Sequence, residues 1–453
     1  MLRKFDTMPI RIEIFPPNLL VPCGTTLRWS FATKTVTISL SQIVYTMKFR
    51  TLFQIFSLLV LCAGFAASAT NAQKPVSNVP RQEKLLNGLK LLMWNDPSAP
   101  EIKVSIRVHS GSAFDPQGKE GVMQLLSDNI FPTAASQAYF AEDLGGGVDV
   151  VTNYDYIQIN ATSKSEEFVT LLETLAQALS NMTIDKDTTS ALKKALTEKL
   201  LVLEKEPAYV ANQAVRKRLF GTFPYGRPQM GSVESLQRID FADLLFARER
   251  FLSADNATVA ITGNFNSDLG FRAARRYLGA WLKSDKRVPS TFRQPDDPDT
   301  KRLEIALDGA AEWSSFALRG VARNDPDFAA STVLEQILKA RISKNAPNAV
   351  VSHEAQTLPG VLVVHMPGSG VLPLTAFSDR ITESEFSRAR GEVLSAFAKK
   401  SLMEQWLDAD TYRTTVSGDA KAFQTVAISD VQRVADRFAK NPIVSVAVKP
   451  AVQ

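Results

Sequence analysis

The order of predicted strands and helices repeats along this chain of 453 residues, and the repeat limits the possible folds more than any other feature. Beyond a charged, proline-containing stretch at 284–300, the order strand, helix, strand, helix, helix, strand occurs again. The two halves therefore resemble distant copies of one unit. Because strands and helices mix within each half, the pattern predicts an α+β protein made of two similar domains.

Hydrophobic spacing predicts the individual elements of the first half. Alternating apolar residues from Ile102 to Val108 indicate a strand. Residues 148–161 are rich in β-branched and aromatic side chains and predict another strand. Apolar residues at helical spacing predict helices around Val122, Leu125, Leu126 and Ile130 and over 165–181. Further helices are expected around 136–143 and from Asp185 to about Leu203.

The first 72 residues differ from the rest of the chain. Met47 opens a segment with a basic start, an apolar run from Leu52 to Phe65 and small residues up to Ala72, which is typical of a secretory signal peptide. A membrane anchor is the alternative, but the run is short for a spanning helix of about 20 residues. We expect Met47 to be the true first residue, and the mature protein to be periplasmic or secreted and free of the membrane.

Charge and cysteine content exclude several classes of function. Residues 1–72 carry seven basic and two acidic side chains, so residues 73–453 are formally neutral. Nothing in that balance indicates binding to nucleic acid. Both cysteines, Cys23 and Cys62, also lie in the leader. Disulfides, thiolate metal sites and cysteine nucleophiles are therefore excluded from residues 73–453.

Five segments, in order, resemble the pitrilysin/insulinase family of zinc metallopeptidases, which includes the mitochondrial processing peptidases. They lie within about 84–282 and read LLNGLKLLMWNDPSAPEIKVSIRVHSGSAFDPQGKEGV, LGGGVDVVTNYDY, GTFPYGRPQMGSVESLQRID, NATVAITGNF and YLGAW. The resemblance implies two homologous domains, each a mainly antiparallel sheet packed with helices on one face. Together they would form half of a clamshell around a peptide-binding cavity.

The resemblance also divides the chain into parts. Its second domain is shorter than the family norm. The expected parts are 1–46, not translated or an extra leader; 47–72, the signal peptide; 73–283, an N-terminal peptidase-like domain; 284–300, a linker; and 301–453, a C-terminal peptidase-like domain.

In active members of the family, one helix carries the motif H-x-x-E-H, whose imidazoles bind zinc and whose glutamate takes a proton from the bound water. The resemblance aligns these positions with Gln124, Ser127 and Asp128. Serine cannot act as a base near neutral pH, and only Asp128 remains a plausible ligand. The family's distal glutamate aligns with Lys205, or with Glu204 after a one-residue slip. These donors are too few for a catalytic zinc, so no metal or other cofactor is expected.

Substrate contacts are implied as well. The strand after LGGG, with Val148, Val150 and Thr152, aligns with an edge strand that pairs with an extended peptide, and such pairing needs no particular side chain. Arg341 aligns with an arginine that holds the substrate; a helix C-terminal charge is the alternative. For the three motif positions, the alternatives are an emptied active-site cavity and an ordinary solvated helix face.

These features favour a protein that is not itself an enzyme. The first hypothesis is a non-catalytic partner of an active zinc peptidase subunit of the same family, which contributes half of a peptide chamber. Several members work as such unequal pairs. The second is a stand-alone protein that binds peptides or scaffolds a complex, and the third is a peptidase with altered metal ligands.

Overall fold

The computed structural model describes residues 78–284 and 292–451, together with the backbone of two earlier strands. These strands, β1 (Thr26–Phe31) and β2 (Lys34–Ser39), form an antiparallel pair within a unit of their own, Met1–Lys74. The predicted signal peptide, 47–72, lies outside the described residues.

The first domain contains a mixed sheet of six strands. Its strands are β3 (Arg81–Lys84), β4 (Lys90–Asn95), β5 (Glu101–Val108), β6 (Gly147–Thr152), β7 (Ile157–Lys164) and β8 (Ala257–Gly263). They are arranged in the order β3-β4-β8-β5-β7-β6, and only β4 and β8 are parallel. β6 is therefore an edge strand, as the resemblance implied.

The segment predicted as a single strand, 148–161, is a hairpin formed by β6 and β7. The chain reverses at Asn153, whose side-chain Oδ1 accepts the backbone N–H groups of Asp155 at 2.8 Å and Tyr156 at 2.9 Å. This is the turn that asparagine favours by bonding to the backbone two residues later. The single-strand prediction was wrong because the β-branched content on both sides hid this turn.

Eight α-helices lie between these strands or after the last of them in the described part of the first domain. They are α1 (Val122–Asp128), α2 (Ala134–Glu142), α3 (Phe168–Ser180), α4 (Lys186–Leu203), α5 (Pro207–Phe220), α6 (Val233–Gln237), α7 (Phe241–Phe251) and α8 (Ser267–Tyr277). The predicted start of α4 is confirmed, since the Asp185 carboxylate accepts the N–H of Thr188 at 2.8 Å. Apolar residues of α1, α3, α7 and α8 share one core with the inward-facing residues of β4, β5, β7 and β8.

The second domain repeats this topology with five strands. They are β9 (Leu303–Leu307), β10 (Trp313–Arg319), β11 (Val350–Glu354), β12 (Val361–Pro367) and β13 (Val444–Pro450). Their order is β11-β12-β10-β13-β9, and only β9 and β13 are parallel. The order matches β6-β7-β5-β8-β4 strand for strand. The predicted repeat of one unit is thus confirmed.

The helices of the second domain complete the described fold. They are α9 (Phe328–Ser343), α10 (Thr375–Ser378), α11 (Glu383–Lys399), α12 (Leu402–Tyr412), α13 (Val416–Thr425) and α14 (Ile428–Lys440). Of the helices in the described ranges, none combines the length and apolarity needed to cross a bilayer.

The two domains exchange one helix each. α5, from the first half, packs on β10 and β13 of the second sheet. α12, from the second half, packs on β8 of the first sheet, where Met403 and Leu407 contact Leu92, Trp94 and Ala260. Because each helix covers the sheet of the other domain, the two domains bury apolar surface against each other.

Arg107 on β5 lies beneath α12 and is fully buried. Its guanidinium donates to Asp408 at 2.7 Å, to Glu404 at 2.7 Å and to Gln158 at 2.6 Å, and it stacks over the ring of Tyr156. The two acids are four residues apart on α12 and so share one face. Burial lowers the pKa of Arg107, but its acidic neighbours outweigh burial and hold that pKa above its ordinary value.

We predict that Arg107→Ala lowers the free energy of unfolding by about 3–5 kcal/mol, because it leaves the carboxylates of α12 without their buried cation. Urea denaturation measures the change. Arg388→Ala is the control: its 2.8 Å pair with Glu392 lies at the surface, and its loss should shift stability by less than about 0.5 kcal/mol. Equal effects of the two substitutions would contradict a central role for Arg107.

Candidate functional site

A buried carboxylate holds the loop that leads into α1. Asp115 accepts the backbone N–H groups of Gly121 and Met123, both at 2.8 Å. Gly121 has φ +105, and a Cβ there would lie 2.9 Å from the carbonyl oxygen of Met230, so only glycine fits. Burial raises the pKa of Asp115 to about 7. These contacts set the position of the helix that carries the three motif residues.

The three motif positions lie beside a cavity of about 370 Å³. Gln124 donates from Nε2 to Asp128 Oδ1 at 2.8 Å. Ser127 donates from Oγ to the carbonyl of Gln124 at 2.7 Å and accepts a hydrogen bond from Thr152 Oγ1 at 2.7 Å. The polar side chains therefore bind to one another, and Thr152 ties α1 to the edge strand β6.

The same cavity is bounded by β6 and α4. Val148 and Val150 of β6 line it, so the structure brings the predicted edge strand and the motif positions together. From α4, Leu196 and Lys199 also line it. A cavity beside α1 thus exists, and the motif positions do not form a simple solvated face.

Lys199, and not the predicted distal residue, faces Asp128 across this cavity. Burial raises the pKa of Asp128, and this effect exceeds the lowering by the Gln124 amide and by the Lys199 ammonium. Glu204 and Lys205 are exposed and follow the end of α4 at Leu203, so the structure does not place either one at the cavity.

The hydrophobic period of α4 was the signal that could have identified Lys199. Leu196 and Leu200 are buried and mark the face of α4 that meets the core. Lys199 lies between them, next to that face. The prediction of Lys205 or Glu204 relied instead on the sequence at the end of α4, where the side chains are exposed and no longer contact the core.

The residues around the cavity do not fit a zinc ion. They offer the two carboxylates of Asp128 and Asp149, two neutral amides and a hydroxyl, and the Lys199 ammonium has no lone pair to donate. Over the described ranges, no group of three or more His, Cys, Asp or Glu side chains is arranged to hold a metal. A catalytic zinc site normally has three protein ligands, so the donors present cannot build one here.

Arg341, at the end of α9, has a structural role. Its Nε and Nη2 bind the Glu385 carboxylate at 2.8 and 2.9 Å. Its remaining N–H groups donate to the carbonyls of Ala376, Asp379 and Arg380 at 2.8–3.1 Å. All five N–H groups are used, so none is left for a substrate. Arg341 therefore ties the last turn of α9 to the start of α11, and a substrate contact would have to displace these hydrogen bonds.

Two of the three histidines are half-buried in the second sheet. His353 and His365 lie on β11 and β12, where burial lowers the pKa of each to about 4. His365 bonds through Nδ1 to Ser315 Oγ at 2.7 Å. Both are therefore neutral near pH 7, and neither lines the cavity beside α1.

Comparison with known proteins gives consistent matches. Residues 90–233 match the family model "Insulinase (Peptidase family M16)", and residues 238–353 match the model "Peptidase M16 inactive domain". The chain is 20% identical over 325 residues to a Bacillus subtilis protein described as uncharacterized zinc protease YmxG, which covers 68% of this chain and 78% of that protein.

Two crystal structures share the fold. One is a protease from Helicobacter pylori, with a TM-score of 0.75, 17% identity, and coverage of 82% of this chain and 100% of that one. The other is a peptidase M16 inactive domain from Pseudomonas fluorescens, with a TM-score of 0.74, 18% identity, and coverage of 82% and 98%. At these identities the likeness shows the fold alone.

We predict that Lys199→Met raises the pKa of Asp128 further, because the substitution removes the positive charge that favours the ionised carboxylate. Titration of the Asp128 carboxyl carbon by NMR measures the change. Lys194→Met is the matched control, since Lys194 is exposed on the same helix and does not line the cavity. An unchanged Asp128 titration in Lys199→Met would show that the two side chains do not interact.

A second prediction concerns acid stability of the second domain. The Arg341 guanidinium lowers the pKa of Glu385 from 4.5 to about 2. A lowered pKa in the folded state means that the pair stabilises the protein above about pH 4.5 and that this contribution is lost as the pH falls towards 2. Thermal unfolding across this range should therefore show a smaller loss in Arg341→Met than in the unmodified protein. Arg388→Met should leave the pH dependence unchanged.

Proposed function

The chain belongs to the insulinase family of M16 peptidases, and from that premise we propose that it is a non-catalytic member that pairs with an active zinc peptidase subunit. In the pair, it contributes half of a peptide chamber. The observation that carries this proposal is the pairing of Gln124 with Asp128 beside Lys199, at the positions where active relatives bind and activate a zinc-bound water.

The positive charge of Lys199 beside the motif positions argues against the alternative, a peptidase with altered metal ligands. A zinc ion would bring two positive charges next to the ammonium of Lys199, which repels it. No imidazole lines the cavity, and its two carboxylates belong to Asp128, which accepts the Gln124 amide, and to Asp149 of β6. These contacts support loss of hydrolysis by this chain and retention of its scaffold.

Peptide binding does not depend on zinc. In the described sheet, β6 pairs with β7 on one side only, so its other side presents free backbone N–H and C=O groups. An extended peptide can add there as a further strand. Such an edge supports the proposal that this chain holds a peptide while the partner cleaves it. It equally suits a stand-alone peptide-binding protein, which is the second candidate.

We also propose that the mature protein works outside the cytoplasm. The support is the segment from Met47 to Ala72, with its basic start, apolar run and small residues. The partner would then be a secreted or periplasmic zinc peptidase of the same family.

The test is purification of the tagged chain from its native host, followed by identification of bound proteins by mass spectrometry. We expect a family member with an intact H-x-x-E-H motif, and peptide cleavage by the complex but not by the isolated chain. Asp128→Ala in this chain should keep the cleavage rate of the complex within about twofold of the unmodified complex. The reason is that the Asp128 side chain lines the cavity but takes no part in the reaction.

Two results would contradict this function. Peptide cleavage by the isolated chain with stoichiometric zinc would show an altered peptidase. Recovery of the chain alone, with peptide binding but no cleavage, would favour the stand-alone candidate.

A further inference from the structure

Another cavity, of about 300 Å³, lies beside the loop that leads into α1, and we call it the aromatic cavity. It shares no lining residue with the cavity of the motif positions. Four phenylalanines line it: Phe114, Phe246, Phe251 and Phe292. The ring centre of Phe114 lies 5.2 Å from that of Phe251 and 5.3 Å from that of Phe292. Phe246 is 48% exposed, so the cavity opens to solvent at that ring. Mainly apolar and aromatic walls with a few polar groups are typical of small-molecule sites.

One cation in the aromatic cavity has no acceptor. Arg250, in the last turn of α7, places its guanidinium carbon 5.8 Å from the ring centre of Phe246 and 5.7 Å from that of Phe251. The guanidinium thus lies against two rings that line the cavity, and the side chain as a whole is only partly exposed. Its Nε is buried, and no described residue accepts a hydrogen bond from any of its three nitrogens. Donors held away from water without an acceptor destabilise a protein, so an acceptor supplied by a ligand would bind favourably.

The acidic groups of the aromatic cavity, in contrast, are already bound. Asp115 accepts two backbone N–H groups with its two oxygens, and both oxygens of Asp243 accept the Lys119 ammonium at 2.6 Å. Arg227 also lines the cavity and donates from Nε to the carbonyl of Thr222 and from Nη1 to that of Asp115, each at 2.9 Å. Its Nη2 has no acceptor among the described residues. The unused groups are therefore the donors of two guanidiniums, and a complementary ligand must bring acceptors and negative charge.

We propose that the aromatic cavity binds a small carboxylate with an aromatic body. The carboxylate accepts N–H groups of Arg250, whose planar fork matches two carboxylate oxygens, and the aromatic body packs among the phenylalanine rings. A free acid and the C-terminal phenylalanine of a peptide share this chemistry, and either can be the source. The inference goes beyond the pairing with an active subunit and does not depend on it.

The test is calorimetric titration of the full chain with two carboxylates and their neutral amides. The first pair is 3-phenylpropionate and 3-phenylpropanamide, and the second is an acetylated tripeptide, two glycines followed by phenylalanine, with a free or an amidated C-terminus. We expect a carboxylate to bind at least about tenfold more tightly than its amide, because only the carboxylate forms charge-assisted hydrogen bonds with the arginine. Binding of 3-phenylpropionate alone assigns a free acid, whereas tighter binding of the tripeptide assigns a peptide C-terminus. Binding of neither carboxylate, or equal affinity for each carboxylate and its amide, would overturn the proposal.

Variants assign the binding to the aromatic cavity. Arg250→Met keeps an apolar stem but removes the guanidinium, so it should weaken the better carboxylate about tenfold or more and leave its amide within about twofold. Retained binding of the amide also shows that the variant is folded. Arg250→Lys keeps the positive charge without the fork and should give an intermediate affinity. Arg275→Met is the matched control, because Arg275 lies 5.8 Å over the ring of Phe271 but is exposed and outside the cavity. Equal losses in Arg250→Met and Arg275→Met, or no loss in Arg250→Met, would overturn the site.

Discussion

The buried guanidinium of Arg107 is the contact on which the relative placement of the two domains depends. A charge without water is tolerated only if it is fully paired, and here both carboxylates come from one helix of the other domain. Gln158 and Tyr156 surround the rest of the group. Because Glu404 and Asp408 must both reach the Arg107 guanidinium, this network fixes the position of α12 on the first sheet.

The exchanged helices extend that contact into apolar packing. α5 covers the second sheet and α12 covers the first, so neither sheet can bury its second face without the other domain. The exchange also shapes the available surfaces. α12 covers only part of this face of the first sheet, and the part beyond it lines a cavity of about 1040 Å³. The cavity beside α1, in contrast, is built within the first domain.

Within that cavity, the polar groups satisfy one another without a metal. Gln124 bonds to Asp128, Ser127 bonds to Thr152, and the ammonium of Lys199 lies near the carboxylate. Such an arrangement keeps helix, edge strand and cavity in place, because α1 is anchored by Asp115 and by the sheet rather than by shared ligands.

The sequence by itself determined the α+β repeat, the start of α4 at Asp185 and the absence of an imidazole at Gln124 and Ser127, because these follow from local spacing and side-chain chemistry. Only the tertiary structure decided that Lys199 meets Asp128, that Arg341 binds Glu385, and that Arg107 joins the domains. Spacing tells which face of an element is apolar, but not which distant element packs against that face. Contacts across more than 40 residues are decided by that packing.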